Sequence, residues 1–261
     1  MIYIGIDDTD VVGSRGTNQL ARSLVAVLAG DFRCLRIVRH QLLEDPRVPC
    51  TTKNGSASIT LEPLRPAVLA DLAVTRGLSR FSRRENGTVP LPNPVIADLA
   101  AQLKEHMLSW YVEGSDPGLS ITTTVPAAVV QFGRRSKCEF VSKEEAYEVA
   151  RRHEILLEGL GGTCDGVIGA LAAVGLAATG DDGRVVQLAQ WPDDAGGVRS
   201  VDFLRERGVT VRFHLGGEQV TEGHVDVGKK LRPNRRRGED VLLVEGMHNG
   251  NHQPLKALKL P

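Results

Sequence analysis

Asp7, Asp8 and Asp10 crowd together directly behind Ile2-Tyr3-Ile4-Gly5-Ile6, an apolar, β-branched run that reads as a buried strand. Neighbouring carboxylates raise one another's pKa values, so three at a strand end need a compensating charge. A divalent cation supplies one. Mg2+ takes hard oxygen ligands, usually one or two carboxylates plus substrate phosphates, and suits this set better than zinc. Alternation along a strand makes Asp8 and Asp10 the co-facial pair, leaving Asp7 to reach around the edge or to orient the Thr9 hydroxyl. The alternative is a solvated acidic turn.

Three further clusters carry polar chemistry. Gly13, Ser14, Gly16 and Thr17 form a turn that opens a helix, with Thr17 at its expected N-cap. The spacing is not that of a Walker A loop. Thr51, Thr52, Lys53 and Asn54 combine hydroxyls, an ammonium and an amide in one turn, suited to phosphate oxygens or a ribose, or forming an ordinary polar hairpin. Gly161, Gly162, Thr163, Asp165 and Gly166 offer backbone N–H groups before another helix, where Asp165 either caps that helix or joins a metal site. His248 and His252 have metal-ligand spacing, but Asn249, Gly250 and Asn251 between them indicate a turn. No Gly-x-Ser-x-Gly or Cys/His constellation supports covalent hydrolase chemistry.

The elements that must hold these clusters read as follows. Helical spacing predicts a helix over Thr17–Leu28, ended by Gly30. Arg33–Val38 and Ser56–Leu61 read as strands, with a helix from Pro66 to Val74 and a mobile connection over Leu78–Pro94. Val95–Val112 returns to helical periodicity, and Leu119–Phe132 reads as an apolar strand or loop. Ser142-Lys143-Glu144-Glu145 is a capping box for a helix to His153. Val167–Leu176 is an apolar helix kept thin by alanine and glycine, whose backbone can lie close to a sheet.

After Trp191 a turn-rich spacer marks the expected boundary between a core, 1–192, and a small β-rich region, 198–261. Val209–Leu215, His224–Val227 and Val241–Glu245 are its expected strands. Lys229, Lys230, Arg232, Arg235, Arg236 and Arg237 crowd between them, either a phosphate-facing patch or a solvated loop. The fold class expected is α/β (α+β), a mixed-sheet nucleotide-binding core with this β-rich appendage.

Composition bounds the function. With 41% hydrophobic and 25% charged residues the chain is globular, and 32 Lys+Arg against 32 Asp+Glu exclude a general electrostatic trap for nucleic acid. Cys34, Cys50, Cys138 and Cys164 lack Cys-x-x-Cys pairing, which argues against a zinc ribbon. No apolar run is long enough to span a membrane and none reads as a secretory signal, so a soluble, cytoplasmic protein is expected.

Ile4-Gly5-Ile6-Asp7-Asp8-Thr9-Asp10, Gly16-Thr17, Leu20-Ala21, Pro49 with Thr52 to Ala57, Asp116-Pro117-Gly118 and Gly166 to Gly175 together resemble, in family order, the archaeal tRNA(Ile2) 2-agmatinylcytidine synthetase family (TiaS-like). The resemblance covers the kinase-type core. The family's OB-fold and cysteine zinc ribbon have no counterpart in these residues, and its Arg-Gly before the last helix is Asp165-Gly166 here. The resemblance implies ATP and Mg2+ as cofactors, with Asp7, Asp8 and Asp10 holding metal and phosphates and Thr17 matching a threonine that can accept phosphate. It further implies Lys53 and Asn54 beside the nucleotide, and the turn through Gly162, Thr163 and Gly166 at its phosphates. The expected activity is phosphoryl transfer to an unidentified small molecule or nucleoside. The alternatives are a tRNA cytidine-modifying ligase using agmatine, with tRNA held by Arg232, Arg235, Arg236 and Arg237, or a non-catalytic nucleotide-binding protein.

Overall fold

The computed structural model describes residues 1–11, 13–48, 50, 53–64, 94–189, 195–246 and 254–258. The expected helix from Pro66, the connection before Pro94, Thr51 and Thr52, the spacer at 191–194 and the His248/His252 pair lie outside them.

Strand β1 (Ile2–Asp7) is central to its half of the sheet, antiparallel to β3 (Gly55–Pro63) on one side and β4 (Gly118–Thr122) on the other. Register sets Ile4 opposite both Ile59 and Ile121, and all three face α1 (Thr17–Leu28) and α2 (Pro94–Ser109) in one fully buried core. Each isoleucine so enclosed contributes about 2 kcal/mol of apolar burial. The opposite face is covered by α5 (Gly166–Thr179), with α3 (Ala127–Arg135) and α4 (Lys143–Arg152) packed beyond it. Helix α5 is apolar all round because it is enclosed on nearly all sides. It seats directly on β1: a Cβ on Gly5 would collide with the Ala170 carbonyl, and one on Gly169 with the Asp7 carboxyl group.

The remaining strands are β2 (Phe32–Gln41), β5 (Leu156–Gly159), β6 (Arg184–Leu188), β7 (Val198–Ser200), β8 (Val209–Phe213), β9 (His224–Asp226), β10 (Asn234–Arg236), β11 (Glu239–Glu245) and β12 (Leu255–Ala257), with α6 (Val201–Glu206) between β7 and β8. One mixed sheet runs β5-β4-β1-β3-β2-β6-β10-β11-β12-β9-β7, and β8 pairs in parallel with β11. The expected α/β class holds. The region after β6 has its own apolar core, built from Val185, Leu204, Val211, Val225 and Val244, and the sheet passes into it unbroken through β6 and β10. Among the described residues no helix is long and apolar enough to cross a membrane.

Two expectations need correction. The stretch Leu119–Phe132 is neither one strand nor a loop: β4 stops at Thr122 and α3 begins behind Pro126, burying Val129, Phe132 and Gly133 at helical spacing. The basic run is not all loop either. Asn234–Arg236 is a strand bonded to both β6 and β11, and Arg235 turns inward onto Asp240 at 3.1 Å.

Candidate active site

Helix α5 and β1 together decide where the acids go. Asp7, the last residue of β1, points at Gly169, and burial pushes its carboxyl up to about 7. The Asp8 N–H and the Arg39 guanidinium pull the other way, while Asp8 and Asp10 add repulsion. Asp8 takes up φ 49, a left-handed conformation that aspartate tolerates better than most residues, and this swings the chain out of the sheet. Its carbonyl accepts the Asp116 N–H at 3.1 Å, which ties the two loops together. Burial, then repulsion from Asp116, Asp10 and Asp165, pushes the Asp8 carboxyl up to about 6. Burial also raises Asp10, against a hydrogen bond from the Thr17 hydroxyl.

Thr17 does not cap its helix. Gly16 is the N-cap in extended conformation, no side chain caps α1, and Thr17 is the first helical residue. Its hydroxyl lies 3.1 Å from Thr9 Oγ1, which donates to it, and it donates to Asp10. Glycine at 16 leaves the Asp10 carboxylate just clear, since a Cβ there would lie 3.4 Å from Oδ2.

Asp165 stands at the N-cap of α5 without capping it. The Thr163 hydroxyl lies 2.7 Å from an oxygen of Asp165 and 2.7 Å from one of Asp116, and its single proton serves one at a time. Thr163 N–H donates to Asp116 at 2.5 Å, and Lys143 reaches Asp165 at 3.2 Å. Gly162, at φ 54, passes so close to Asp116 that any side chain would strike its carboxylate, and Gly166 abuts the Asp116 carbonyl. Asp116 enters the sequence reading only inside the Asp116-Pro117-Gly118 block of the family resemblance and without a role of its own, since its partner Thr163 is 47 positions away.

These groups line one cleft of about 1080 Å³, large enough for a nucleoside triphosphate and a second substrate. It is lined by Asp7, Asp8, Asp10, Asp116 and Asp165. It is also lined by Arg39, Arg47, Lys53, Lys143 and Arg184, with Phe140 half exposed beneath the Arg47 guanidinium at 4.2 Å. Lys53 is exposed and 3.7 Å from Glu44. Asn54 lines the cleft too, but its amide nitrogen is occupied by the Leu43 carbonyl at 2.9 Å. Thr52 lies outside the described residues. Arg232, Arg235, Arg236 and Arg237 do not line the cleft.

Among the described residues no three His, Cys, Asp or Glu side chains converge as a ready-made metal cage. The all-oxygen donor set, with burial and neighbouring carboxylates raising the Asp8 carboxyl, fits a cation that brings phosphate oxygens with it.

No protein-family model matches the chain, and no curated protein matches it. Solved structures do. A tRNA fluorescent labeling enzyme aligns over 67% of this chain and 35% of its own, at 19% identity and a TM-score of 0.49. The complex of TiaS with tRNA(Ile2), AMPCPP and agmatine aligns over 66% and 35%, at 18% identity and 0.48. The TiaS–tRNA(Ile2)–ATP complex aligns over 67% and 36%, at 21% and 0.46. The aligned part is about a third of each of those proteins.

Proposed function

We propose that this protein is an ATP- and Mg2+-dependent phosphoryl-transfer enzyme acting on a small molecule or nucleoside. The observation that carries the reading is the gathering of Asp8, Asp10, Asp116 and Asp165 in one cleft, where burial and repulsion from the other three raise the Asp8 carboxyl and call for added positive charge. A polyphosphate carrying a divalent ion supplies that missing charge, and the motif resemblance to the agmatinylcytidine synthetase core points to the same pair.

Asp8 and Asp10 would hold the cation, which when bound neutralises phosphate charge and polarises the group in transfer. Thr17 is held by Thr9 and Asp10, so its hydroxyl has a fixed direction at the mouth of an uncapped helix whose dipole favours anions. Lys53 is exposed enough to swing onto a phosphate. Asp7, with a carboxyl near 7, shares a proton at neutral pH and orients the turn through the Asp8 N–H. Positioning and charge neutralisation account for the catalysis, with no covalent adduct required.

The test is ATP turnover with Mg2+ by the wild type and by Asp8→Ala. Turnover that collapses in the variant is expected. No turnover in the wild type, or equal turnover in both, overturns the proposal.

A further inference from the structure

The cleft's cations are not equivalent. Lys143 is held by Asp165, Arg47 by Asp45 at 2.8 Å, and Lys53 lies near Glu44. Arg39 and Arg184 differ. They are direct cross-strand partners on β2 and β6, a placement that brings side chains within about 5 Å at Cβ and destabilises a sheet when the charges are alike. Neither makes an ion pair with a carboxylate among the described residues. Arg39 instead rests both terminal nitrogens on Gln41 Oε1, each at 3.2 Å, and Gln41 is pinned in turn by the Asn54 carbonyl at 2.6 Å. The nearest acid in sequence, Asp182, is already committed to Lys137 at 2.7 Å and His40 at 2.8 Å.

The fold also makes room for this guanidinium. A Cβ on Gly55 would lie 2.5 Å from an Arg39 terminal nitrogen and 2.9 Å from its Cζ, well inside contact distance, so the arginine head occupies the space a side chain at 55 would need. Both arginines border the cleft, where Arg39 is near enough to Asp7 to pull its carboxyl down but makes no direct ion pair with it.

We propose that Arg39 and Arg184 form an oxyanion subsite for the second substrate, so that the acceptor carries a phosphate or carboxylate group. This assignment rests on the phosphoryl-transfer reading. Two opposed guanidiniums, one of them pre-positioned, match the geometry of a tetrahedral or planar oxyanion. An oxyanion between them also offsets the repulsion between these two like charges. The subsite disfavours a cationic acceptor, whose amine would meet two like charges.

Calorimetric titration with inorganic phosphate and, separately, acetate tests the assignment on the wild type and Arg184→Gln, with Mg2+·ATP titrated into both as an independent arm. The tighter of the two anions names the group on the acceptor. The expected result is phosphate or acetate binding weakened about tenfold or more by the substitution, with Mg2+·ATP affinity unchanged within about twofold. Unaltered anion binding overturns the subsite. A parallel loss of Mg2+·ATP affinity overturns its assignment to the acceptor, because the pair then serves the nucleotide's own phosphates. A wild type that ignores Mg2+·ATP but holds the anion through Arg184 sinks the phosphoryl-transfer reading and leaves the anion subsite standing. Thermal melting in anion-poor buffer adds a readout: Arg184→Gln melts about 1 °C higher if the pair is a strained binding feature, and lower if the pair serves the fold, which overturns the proposal.

Discussion

Asp182 and Asp7 are both withdrawn from bulk water, one on each side of β2, and the fold treats them in opposite ways. Asp182 receives His40 Nδ1 at 2.8 Å and Lys137 Nζ at 2.7 Å, and those partners hold its carboxyl below the usual carboxylate range despite the burial. The other ring nitrogen of His40 meets Ser58 Oγ at 2.8 Å, so the network closes on itself. Asp7 gets a backbone N–H and a distant arginine, and its carboxyl climbs to about 7. The chain can satisfy a buried aspartate where the aspartate serves the fold. Asp7 and Asp8 are raised where Asp182 is lowered, and that difference separates the acids at the β1 end from a carboxylate built into the fold.

That contrast can be broken in several ways. The largest effect is expected for Asp8→Asn, which keeps the shape and removes a charge: ATP turnover with Mg2+ should fall about 100-fold or more, while the melting temperature holds or rises. A variant that loses stability instead would place Asp8 with Asp182 as a structural acid. Next comes Asp182→Ala, which strands a buried histidine and should cost about 2 kcal/mol in denaturant unfolding. Unchanged stability would dissolve the comparison from the other side.

The pH dependence sharpens the contrast further. The folded state holds the Asp7 proton more tightly than the unfolded chain does, so stability from that proton is present below about pH 3.8 and is lost as pH rises toward 7. His40 has the opposite slope. Burial lowers its pKa, so its contribution is present above about pH 6.5 and is lost on acidification. Asp7→Asn should therefore gain on the wild type steadily as melting curves are taken from pH 5 to pH 7, then level off. A constant offset would show that Asp7 stays charged throughout. The smallest effect belongs to Lys143→Gln, which removes an exposed ion pair with Asp165 and should leave the denaturant midpoint unchanged within error, a clear shift placing the pair in the fold.

Much of this was legible in the sequence, for physical reasons that differ by element. Helix α1 matches its expected limits of Thr17 and Leu28 because its periodicity is clean and its flanks are turns. Ser142 accepts the Glu145 N–H at 3.2 Å, as its capping box requires. Helix α3 was not legible, because Ala127-Ala-Val-Val has strand character until Phe132 and Gly133 supply the next turn of the buried face. Strands β7, β10 and β12 have three residues each, too few for any period to register, whereas β9 falls within the expected His224–Val227. In the site, Asp7, Asp8 and Asp10 announce themselves by adjacency. Asp116, Arg39 and Arg184 do not, since each acquires meaning only through a partner brought to it by strand pairing or loop packing.

The contact between Gly169 and Asp7 has one more consequence. Helix and strand interlock there and again at Gly5 with less clearance than a methyl group, so α5 cannot slide along β1 without driving into a carboxyl group. The acid array is thus a fixed gauge, set when the domain folds and indifferent to which ligand arrives.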